Sequence, residues 1–335
     1  MRLKPEISPL LASVLLGTLT LTALTGLTGC ADLSGRARPG AAGAPDTGPP
    51  DAGGTAGTVD LGARITGFTD GINQNGHYRV PAASDRRAVA DGVRLLVDGD
   101  RAAAERSLVG AGYALRTLAD RQDGRRYAEI ADATREGETT RGWGRVYLDL
   151  QGPARWSVQV PHPSADQRTE QLGIGLLRGA PGGVLILAGA HRNAAGSTDG
   201  DAADVAHRAD SVFAAVAAVL ADRRLPAVQV HGFADASLPE HDVVVSPGKG
   251  DAGLPAARRL SAALGREKLR VCEVWRRYCG RLEGRTNVEG DHADAVGAPF
   301  LHVEHSRTVR FDDALMGEAV RALTEVVRRW SAGRA

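Results

Sequence analysis

The chain has 335 residues, with 41 lysines and arginines against 40 aspartates and glutamates, and a formal net charge of +1. This near-neutral balance and an aromatic content of 4% give no sign of the basic, aromatic-rich surface that nucleic-acid binding requires. The length and a hydrophobic content of 43% suit one large α/β domain, alone or with a small appendage.

Residues 1–30 have the composition of an export signal. A short basic start is followed by an uncharged apolar run, which ends in small residues and the sequence LTGC at Cys30. This ending resembles the bacterial lipobox, in which the cysteine is acylated and becomes the mature N-terminus, and it makes Cys30 the expected lipidation site. The alternative is an ordinary signal or a single membrane anchor in which Cys30 has no role.

Residues 31–58 are rich in Ala, Gly and Pro and have almost no large apolar side chains. Such a segment cannot offset its ordering entropy by burial, so we expect a flexible tether. A lipid anchor followed by a tether places the globular part outside the cell, attached to the outer face of the cell membrane. The remaining two cysteines, Cys272 and Cys279, agree with export, because an even pair in an oxidising compartment favours a structural disulfide over free thiols.

Residues 59–150 are expected to form a small N-terminal α+β element. The stretch 84–97 carries apolar residues at helical spacing after a possible N-cap serine, and 100–115 continues in the same style. Strands bounded by Asp and Gly turns are expected at 113–118, 126–130 and 144–150. This part contains one histidine and no polar cluster, so we interpret it as a packing or shielding element.

Residues 151–335 alternate between strand and helix patterns, which predicts an α/β domain with a mostly parallel, mixed sheet and helices on both faces. The segment 243–250 ends in Gly-Lys-Gly but lacks the frame of a phosphate loop, so we expect a loop over the cleft. The predicted strands are 156–160, 184–188, 227–230 and 300–304, and the predicted helices are 203–220, 254–264 and 312–330.

Titratable residues gather where these strands end. Eight of the nine histidines lie between His162 and His305. The predicted strands run directly into His162, into His191 and Arg192, into His231, and through Glu304. Because ligands bind beyond the carboxyl ends of the strands in such sheets, these side chains should meet at one edge.

His162, His231 and one carboxylate would form a catalytic zinc site, which needs three protein ligands and one open position. The carboxylate is either Asp166 or Glu170. The alternative is that Glu170 opens a helix at residue 169 and Asp166 caps it.

The order of these motifs, from a histidine and a glutamate after one strand to a later "HGF" histidine and a late "FLHVE" strand, resembles the metallocarboxypeptidase superfamily. That superfamily includes poly-γ-glutamate hydrolases and deacylases. Over residues 156–310 the resemblance implies a zinc-carboxypeptidase-like fold, zinc ligands His162, Glu170 and His231, a general base Glu304, and Arg192 for a substrate carboxylate. The sequence departs from the family because seven residues, rather than two, separate His162 from Glu170, so either the loop is longer or Asp166 is the ligand.

Several further residues are weaker candidates for the same site. Arg285 and Arg310 could bind a substrate carboxylate, and Thr286 and Asn287 could hydrogen-bond substrate or form a turn. His302 shares a strand face with Glu304 because side chains alternate along a strand, whereas His305 points to the other face and should be structural. His207, spaced to meet Asp204 on a predicted helix, could orient a ligand or form a structural pair.

The sequence therefore predicts a lipid-anchored, extracytoplasmic zinc hydrolase that cleaves an amide bond in a small peptide or acyl-amino-acid substrate. A serine hydrolase is disfavoured because the chain has no G-x-S-x-G motif. The competing hypothesis is a non-catalytic surface lipoprotein that binds a metal or another ligand. A carboxylate beside the metal, Glu304, separates the two, because a binding protein has no need for it.

Overall fold

A computed structural model describes residues 57–194 and 201–334. These residues form one ten-stranded sheet. The strands are β1 (Gly57–Val59), β2 (Tyr113–Asp120), β3 (Arg126–Asp132), β4 (Arg145–Asp149), β5 (Trp156–Val160), β6 (Gly183–Leu187), β7 (Ala227–Phe233), β8 (Val243–Ser246), β9 (Val271–Glu273) and β10 (Phe300–Ser306).

The sheet is mixed, with a parallel centre. In space the strand order is β1-β2-β3-β4-β6-β5-β7-β10-β8-β9. The central strands β6, β5, β7 and β10 pair in parallel, while β2, β3 and β4 form an antiparallel meander that joins β6 at its edge. Strand β10 pairs antiparallel with β8, and β8 pairs in parallel with β9. The predicted fold class, a mostly parallel mixed sheet with helices, is confirmed.

Helices cover both faces of the sheet. One core contains the apolar sides of α1, α5, α7 and α10, and the other contains those of α2, α3 and α6. The helices are α1 (Leu61–Asp70), α2 (Ala83–Val97), α3 (Arg101–Val109), α4 (Glu138–Arg141), α5 (Thr169–Gly179), α6 (Val212–Asp222), α7 (Leu254–Arg266), α8 (Val288–Val296), α9 (Arg307–Phe311) and α10 (Asp313–Ser331), with 3₁₀ turns at Val205–His207 and Asp235–Ser237.

The central strands carry apolar residues on one face and polar residues on the other. In β7, Val228 and Val230 belong to the core that contains α5 and α10, whereas the intervening Gln229 and the following His231 are buried polar residues. The same alternation places Val303 of β10 in that core and Glu304 on the opposite face. A polar layer therefore runs across the centre of the sheet.

The predicted N-terminal element supplies strands to this same sheet, since β4 pairs with β6 along residues 145–148. The helix expected over 100–115 ends at Val109, because Gly112 has a positive φ of 70° and the chain then enters β2. The tether expected over 31–58 ends earlier, because β1 begins at Gly57. The remaining residues of the predicted signal and tether, Cys30 included, lie outside the described part of the chain.

Two other predicted elements differ from the structure. The helix expected over 203–220 is a short 3₁₀ turn followed by α6, which begins after Ser211, whose hydroxyl accepts a hydrogen bond from the Ala214 backbone N–H. The loop expected over 243–250 is wrong for its first half, because Val243–Ser246 form β8, an internal strand that is buried throughout. Three consecutive valines favour a strand buried on both faces, and only the residues that follow form a loop.

Within the described ranges, no helix combines the length and apolar character needed to cross a membrane.

Candidate metal centre

Strand register brings the polar side chains of β5, β7 and β10 together. His231 lies beside Glu304, and Gln229 lies beside His302 on the neighbouring parallel strand. On the other side of β7, Gln229 is in register with Gln159 of β5. Because alternate residues of a strand share a face, these five side chains form one buried layer.

His162, Asp166 and His231 form the cluster that could hold a metal ion, with one ligand atom from each lying within 4.8 Å of the others. Asp166 Oδ2 lies 3.4 Å from His162 Nδ1 and 3.0 Å from His231 Nδ1. The edge of a tetrahedron with metal–ligand bonds of about 2.0–2.1 Å is roughly 3.3 Å, so these separations suit a shared zinc ion. A turn closed by a 2.8 Å hydrogen bond from Asp166 N–H to the His162 carbonyl folds Asp166 back towards His162.

The opposite nitrogen of each imidazole is held by an acceptor. His162 Nε2 lies 2.7 Å from Asp204 Oδ1, and His231 Nε2 lies 3.0 Å from Gln229 Oε1. If each Nε2 carries the proton, both Nδ1 lone pairs are directed towards Asp166, as in metal sites whose histidines donate to a carboxylate or amide behind them. His162 Nδ1 is buried and has no hydrogen-bond partner among the described residues. The donor set therefore fits a zinc ion.

The cluster is electrostatically prepared for a cation. Burial alone would lower the pKa of His162, but its interactions with Asp166 and Asp204 outweigh burial and raise the pKa to about 9. Burial raises the pKa of both carboxyl groups, but the facing histidines more than compensate, and both pKa values lie well below the usual range. Burial lowers the pKa of His231 to about 4, so this imidazole is neutral at pH 7. At pH 7 the metal-free cluster therefore carries one proton on His162 beside two carboxylates, and a divalent cation that binds His162 would displace this proton.

Glu304 lies beside the cluster and lines the same cavity. It is 8% exposed, its Oε1 lies 3.4 Å from His302 Nε2, and its Oε2 has no hydrogen-bond partner among the described residues. The His302 ring lies 4.6 Å from the His231 ring, centroid to centroid. A carboxylate in the wall of a cavity is placed to exchange a proton with a bound molecule.

The cavity has a volume of about 650 Å³. One wall is the segment 280–287, which begins after a disulfide between Cys272 of β9 and Cys279. In this wall Gly284 has a φ of 62°, and a Cβ atom there would lie 2.2 Å from His302 Cγ. The residue must therefore be glycine for the wall to pack directly on His302.

The structure does not place Glu170, the other predicted carboxylate ligand, in the metal cluster. Glu170 lies in the first turn of α5, where Oε1 accepts a 3.1 Å hydrogen bond from Gln171 Nε2. Its side chain is buried, and burial raises its pKa. Of the alternatives left open by the sequence, Asp166 is the one that the fold brings to His162 and His231, and Glu170 occupies the helix-opening position.

The predicted substrate-binding residues lie at the cavity and differ in how they are bound to neighbouring side chains. Arg192 is half-buried and hydrogen-bonded to Asp204, and Arg285 is paired with Glu283 at 2.8 Å. Asn287 is buried at the inner end of the wall, next to Gln229.

Arg310 and His305, at or just after the end of β10, contact backbone carbonyl groups. The Arg310 guanidinium donates to the backbone carbonyls of Gln167, Phe233 and His305, and Arg310 is not among the residues that line the cavity. His305 is fully buried, with Nδ1 3.2 Å from the His231 carbonyl oxygen.

Sequence reasoning missed four residues at or next to the site. Asp204 was considered only as a partner of His207, which lies 3.2 Å away, whereas its other oxygen contacts His162. Gln229 precedes His231 by two residues, so strand alternation could have placed it behind that histidine. Glu289 contacts Gln229, and no motif in the sequence around Glu289 indicates this contact. Arg281 is exposed, lines the cavity, and forms no ion pair with a described residue.

No protein-family model and no curated protein matches the chain. Similar solved structures include an N-formylglutamate amidohydrolase from Ralstonia eutropha JMP134, at 13% identity and a TM-score of 0.39, covering 56% of this chain and 97% of that chain. The ectoine utilization protein EutE (DoeB) from Ruegeria pomeroyi is 12% identical with a TM-score of 0.39, covering 64% of this chain and 70% of its own. A metallo-carboxypeptidase from Burkholderia cenocepacia is 14% identical with a TM-score of 0.33, covering 68% of each chain.

At such identities and TM-scores, what the site can do is inferred from the residues of this chain alone.

Proposed function

We propose that this protein is a lipid-anchored, extracytoplasmic zinc hydrolase that cleaves an amide bond in a small peptide or acyl-amino-acid substrate. The observation that carries the proposal is the pair of imidazoles whose Nδ1 atoms converge on Asp166, beside Glu304 with a free carboxylate oxygen. His162, Asp166 and His231 would hold the ion and leave one coordination position open, as catalytic zinc sites do.

When bound, zinc would lower the pKa of water and polarise the substrate carbonyl. The residues of the chain supply the proton transfer. The carboxylate of Glu304, which lines the cavity, takes a proton from a water molecule there and delivers it to the leaving nitrogen, so that an amine and a carboxylic acid are released. His302 Nε2 lies 3.4 Å from Glu304 Oε1, and both residues line the cavity.

The charge and size of the cavity suit a small substrate with a carboxylate. Arg192, Arg281 and Arg285 all line it, and Arg281 is the one of these that has no ion pair with a described residue. A guanidinium can bind a carboxylate with two parallel hydrogen bonds. A volume of about 650 Å³ lies in the range of small-molecule sites.

The location rests on the sequence. The basic start, the apolar run and the ending at Cys30 support export and acylation, and the tether up to β1 would leave the cavity accessible outside the membrane. Labelling with a radioactive or alkyne fatty acid, with Cys30→Ser as the control, tests this part of the proposal. Acylation that persists in Cys30→Ser would contradict it.

The test of the reaction is Glu304→Gln, assayed on a panel of N-acyl amino acids and short peptides. We expect turnover to fall by about 10²–10⁴-fold, because the general base is lost, while the zinc content stays the same. Glu240→Gln, at an exposed position away from the cavity, is the control and should behave as the wild type. If the wild type binds zinc, hydrolyses none of the panel, and Glu304→Gln changes nothing, the protein is a metal-binding lipoprotein instead.

A further inference from the structure

The loop between the two cysteines lies next to the cavity and is held at both ends. The disulfide joins Cys272 of β9 to Cys279, and Gly280, the next residue, already lines the cavity. The Cys279 backbone N–H donates a 2.9 Å hydrogen bond to Oε1 of Glu283, another residue of the cavity wall. Within the loop, the half-buried Trp275 packs against the core. The loop backbone is therefore held in place beside the cavity.

The loop and the adjoining cavity wall are strongly basic. Residues 270–285 contain five arginines and two glutamates. Three of the arginines are paired with carboxylates, in the pairs Arg270–Asp242, Arg276–Glu273 and Arg285–Glu283. Arg277 and Arg281 are exposed and form no ion pair with a described residue. Two positive charges thus remain uncompensated, one in the loop and one in the cavity wall.

The positive potential of this surface acts on a neighbouring histidine. Burial lowers the pKa of His241, and the charges of Arg277 and Arg270 lower it further. The nearby carboxylates of Glu240 and Asp242 raise it by less. The surface therefore stays positive around Arg277 even though Arg270 is paired with an aspartate.

Tyr278, next to Arg277, is the most exposed large apolar or aromatic side chain within the described ranges, at 79%. Phe311, the other exposed aromatic residue there, is covered by the guanidinium groups of Arg307 and Arg168, which lie 3.9 and 5.6 Å from its ring centroid. Tyr278 has no such ring contact with a described residue. Tyrosine and arginine are the residues that contribute most often to binding energy at interfaces. An uncovered tyrosine between unpaired arginines therefore indicates a contact surface for an anionic partner.

We propose that Arg277, Tyr278 and Arg281 form a surface that binds the acidic part of a peptide substrate extending out of the cavity. Arg281 connects the two regions, because it follows the loop in sequence and lines the cavity. A peptide held at the candidate metal centre would continue past Arg281 onto the loop, so acidic peptides of several residues would bind better than a single acylated amino acid. The term substrate rests on the proposed function, whereas the binding can be measured without turnover.

An anionic membrane is the other partner that a basic surface could meet. Strand β9, which leads into the loop, is at one edge of the sheet, and β1, which the proposed tether joins, is at the opposite edge. Nine strand spacings of about 4.8 Å separate these edges by up to roughly 43 Å. The surface therefore lies far from the point where the tether is attached and directly beside the cavity, which favours a substrate over the membrane.

The first test measures binding without catalysis. Fluorescein-labelled, α-linked hexaglutamate is titrated with the purified, metal-free protein and followed by fluorescence anisotropy, in parallel with hexaglutamine. We expect only the acidic peptide to bind, and Arg277→Gln and Tyr278→Ala each to weaken its binding about three- to fivefold. Arg121→Gln and Val109→Ala are the matched controls, because they remove an exposed arginine and an exposed apolar side chain that do not line the cavity. Both controls should bind like the wild type.

The second test measures whether the surface serves long substrates only. We expect Arg277→Gln to raise KM for hexaglutamate about three- to fivefold and to leave KM for N-acetylglutamate unchanged, because Arg277 does not line the cavity. An equal rise in KM for both substrates would contradict a surface that lies beyond the cavity.

The outcomes separate this proposal from the proposed function. A wild-type protein that does not bind hexaglutamate, or loop variants that bind it like the wild type, would overturn the proposal. Cosedimentation with phosphatidylglycerol vesicles that is lost in Arg277→Gln, without peptide binding, would also overturn it and identify a membrane as the partner. Peptide binding that depends on Arg277 and Tyr278 in a protein that hydrolyses no amide would refute the proposed hydrolase and leave the acidic-peptide surface intact.

Discussion

Glu129 and Glu289 are both buried glutamates, but their surroundings differ. Glu129, in the middle of β3, accepts hydrogen bonds from Arg64 at 2.6 and 2.7 Å and from the Tyr147 hydroxyl at 3.0 Å. Although burial raises its pKa, Arg64 outweighs this effect and the pKa lies below the usual range. Glu289 accepts a hydrogen bond from the Gln229 amide and has no ion pair with a described residue, and burial raises its pKa to about 7.

The difference distinguishes two uses of buried charge in the same sheet. In the N-terminal strands, the carboxylate of Glu129 meets arginines, so the charges compensate one another within the fold. At the carboxyl ends of the central strands, buried atoms of His162, His302 and Glu304 are left without hydrogen-bond partners among the described residues. Unsatisfied buried polar atoms are costly, and their grouping around one cavity indicates that a ligand completes them.

The largest stability effect is expected at Glu129. Glu129→Gln leaves Arg64 and Arg145 without their shared carboxylate, and losing one partner of a buried ion pair costs about 3–5 kcal/mol. Arg116→Gln is the matched control, because Arg116 reaches the same carboxylate at 3.5 Å from a side chain that is 40% exposed. It should cost less than about 1 kcal/mol. Urea unfolding measures the free energy of unfolding of both variants. Equal losses would show that the carboxylate of Glu129 is not held by a buried ion pair.

At Glu289 the expected effect depends on pH. Its pKa is raised from 4.5 to about 7 by burial, so folding favours the protonated form. This contribution to the free energy of unfolding is fully present below about pH 4.5 and is lost as pH rises through 7. The total loss is on the order of 3 kcal/mol. Glu289→Gln should remove this part of the pH dependence, so the free energies of unfolding of the two proteins should diverge between pH 4.5 and 8. Parallel pH profiles would show that Glu289 is not held as a buried acid.

The disulfide is expected to contribute less. Cys272 and Cys279 close a short loop, with a sequence separation of 7, before the cavity wall at 280–287. Loop-closure entropy for so short a loop corresponds to about 2 kcal/mol. The double substitution to serine should lower the free energy of unfolding by this amount and raise KM, because the wall packs on His302. Unchanged stability and KM would show that the wall does not depend on the disulfide.

The smallest effect is expected for the arginines of the cavity. Arg281→Gln should raise KM for an acidic substrate about tenfold, roughly 1.4 kcal/mol, with kcat nearly unchanged, because Arg281 is free to bind a carboxylate. Arg285→Gln, which breaks a surface pair with Glu283, is the comparison and should have a smaller effect. A larger rise in KM for Arg285→Gln than for Arg281→Gln would show that Arg285, and not Arg281, binds the substrate carboxylate.

The sequence was sufficient to predict most strands of the sheet but only part of the site. Strands β5 and β10 were predictable because their apolar runs are short and bounded, and β8 was not, because the Gly-Lys sequence that follows it suggested a loop. The edge where His162, His231 and Glu304 meet followed from parallel strands having the same carboxyl edge.

The carboxylates of the site could be identified only from the folded structure. Asp166 and Glu170 are both one or two helical turns after His162, and only the turn that returns Asp166 to the His162 carbonyl decides between them. Asp204 contacts His162 across 42 positions of sequence, and Glu289 contacts Gln229 across 60, distances at which no local spacing rule applies.

The proposed metal centre is tested by zinc binding. The purified wild-type protein, stripped with chelator and titrated with zinc, should bind about one ion per chain, while Asp166→Asn and His231→Ala should each bind it at least about tenfold more weakly and Glu129→Gln should bind it normally while folded. A wild-type protein that binds no zinc, or an affinity that neither variant of the cluster changes, would contradict the proposed metal centre.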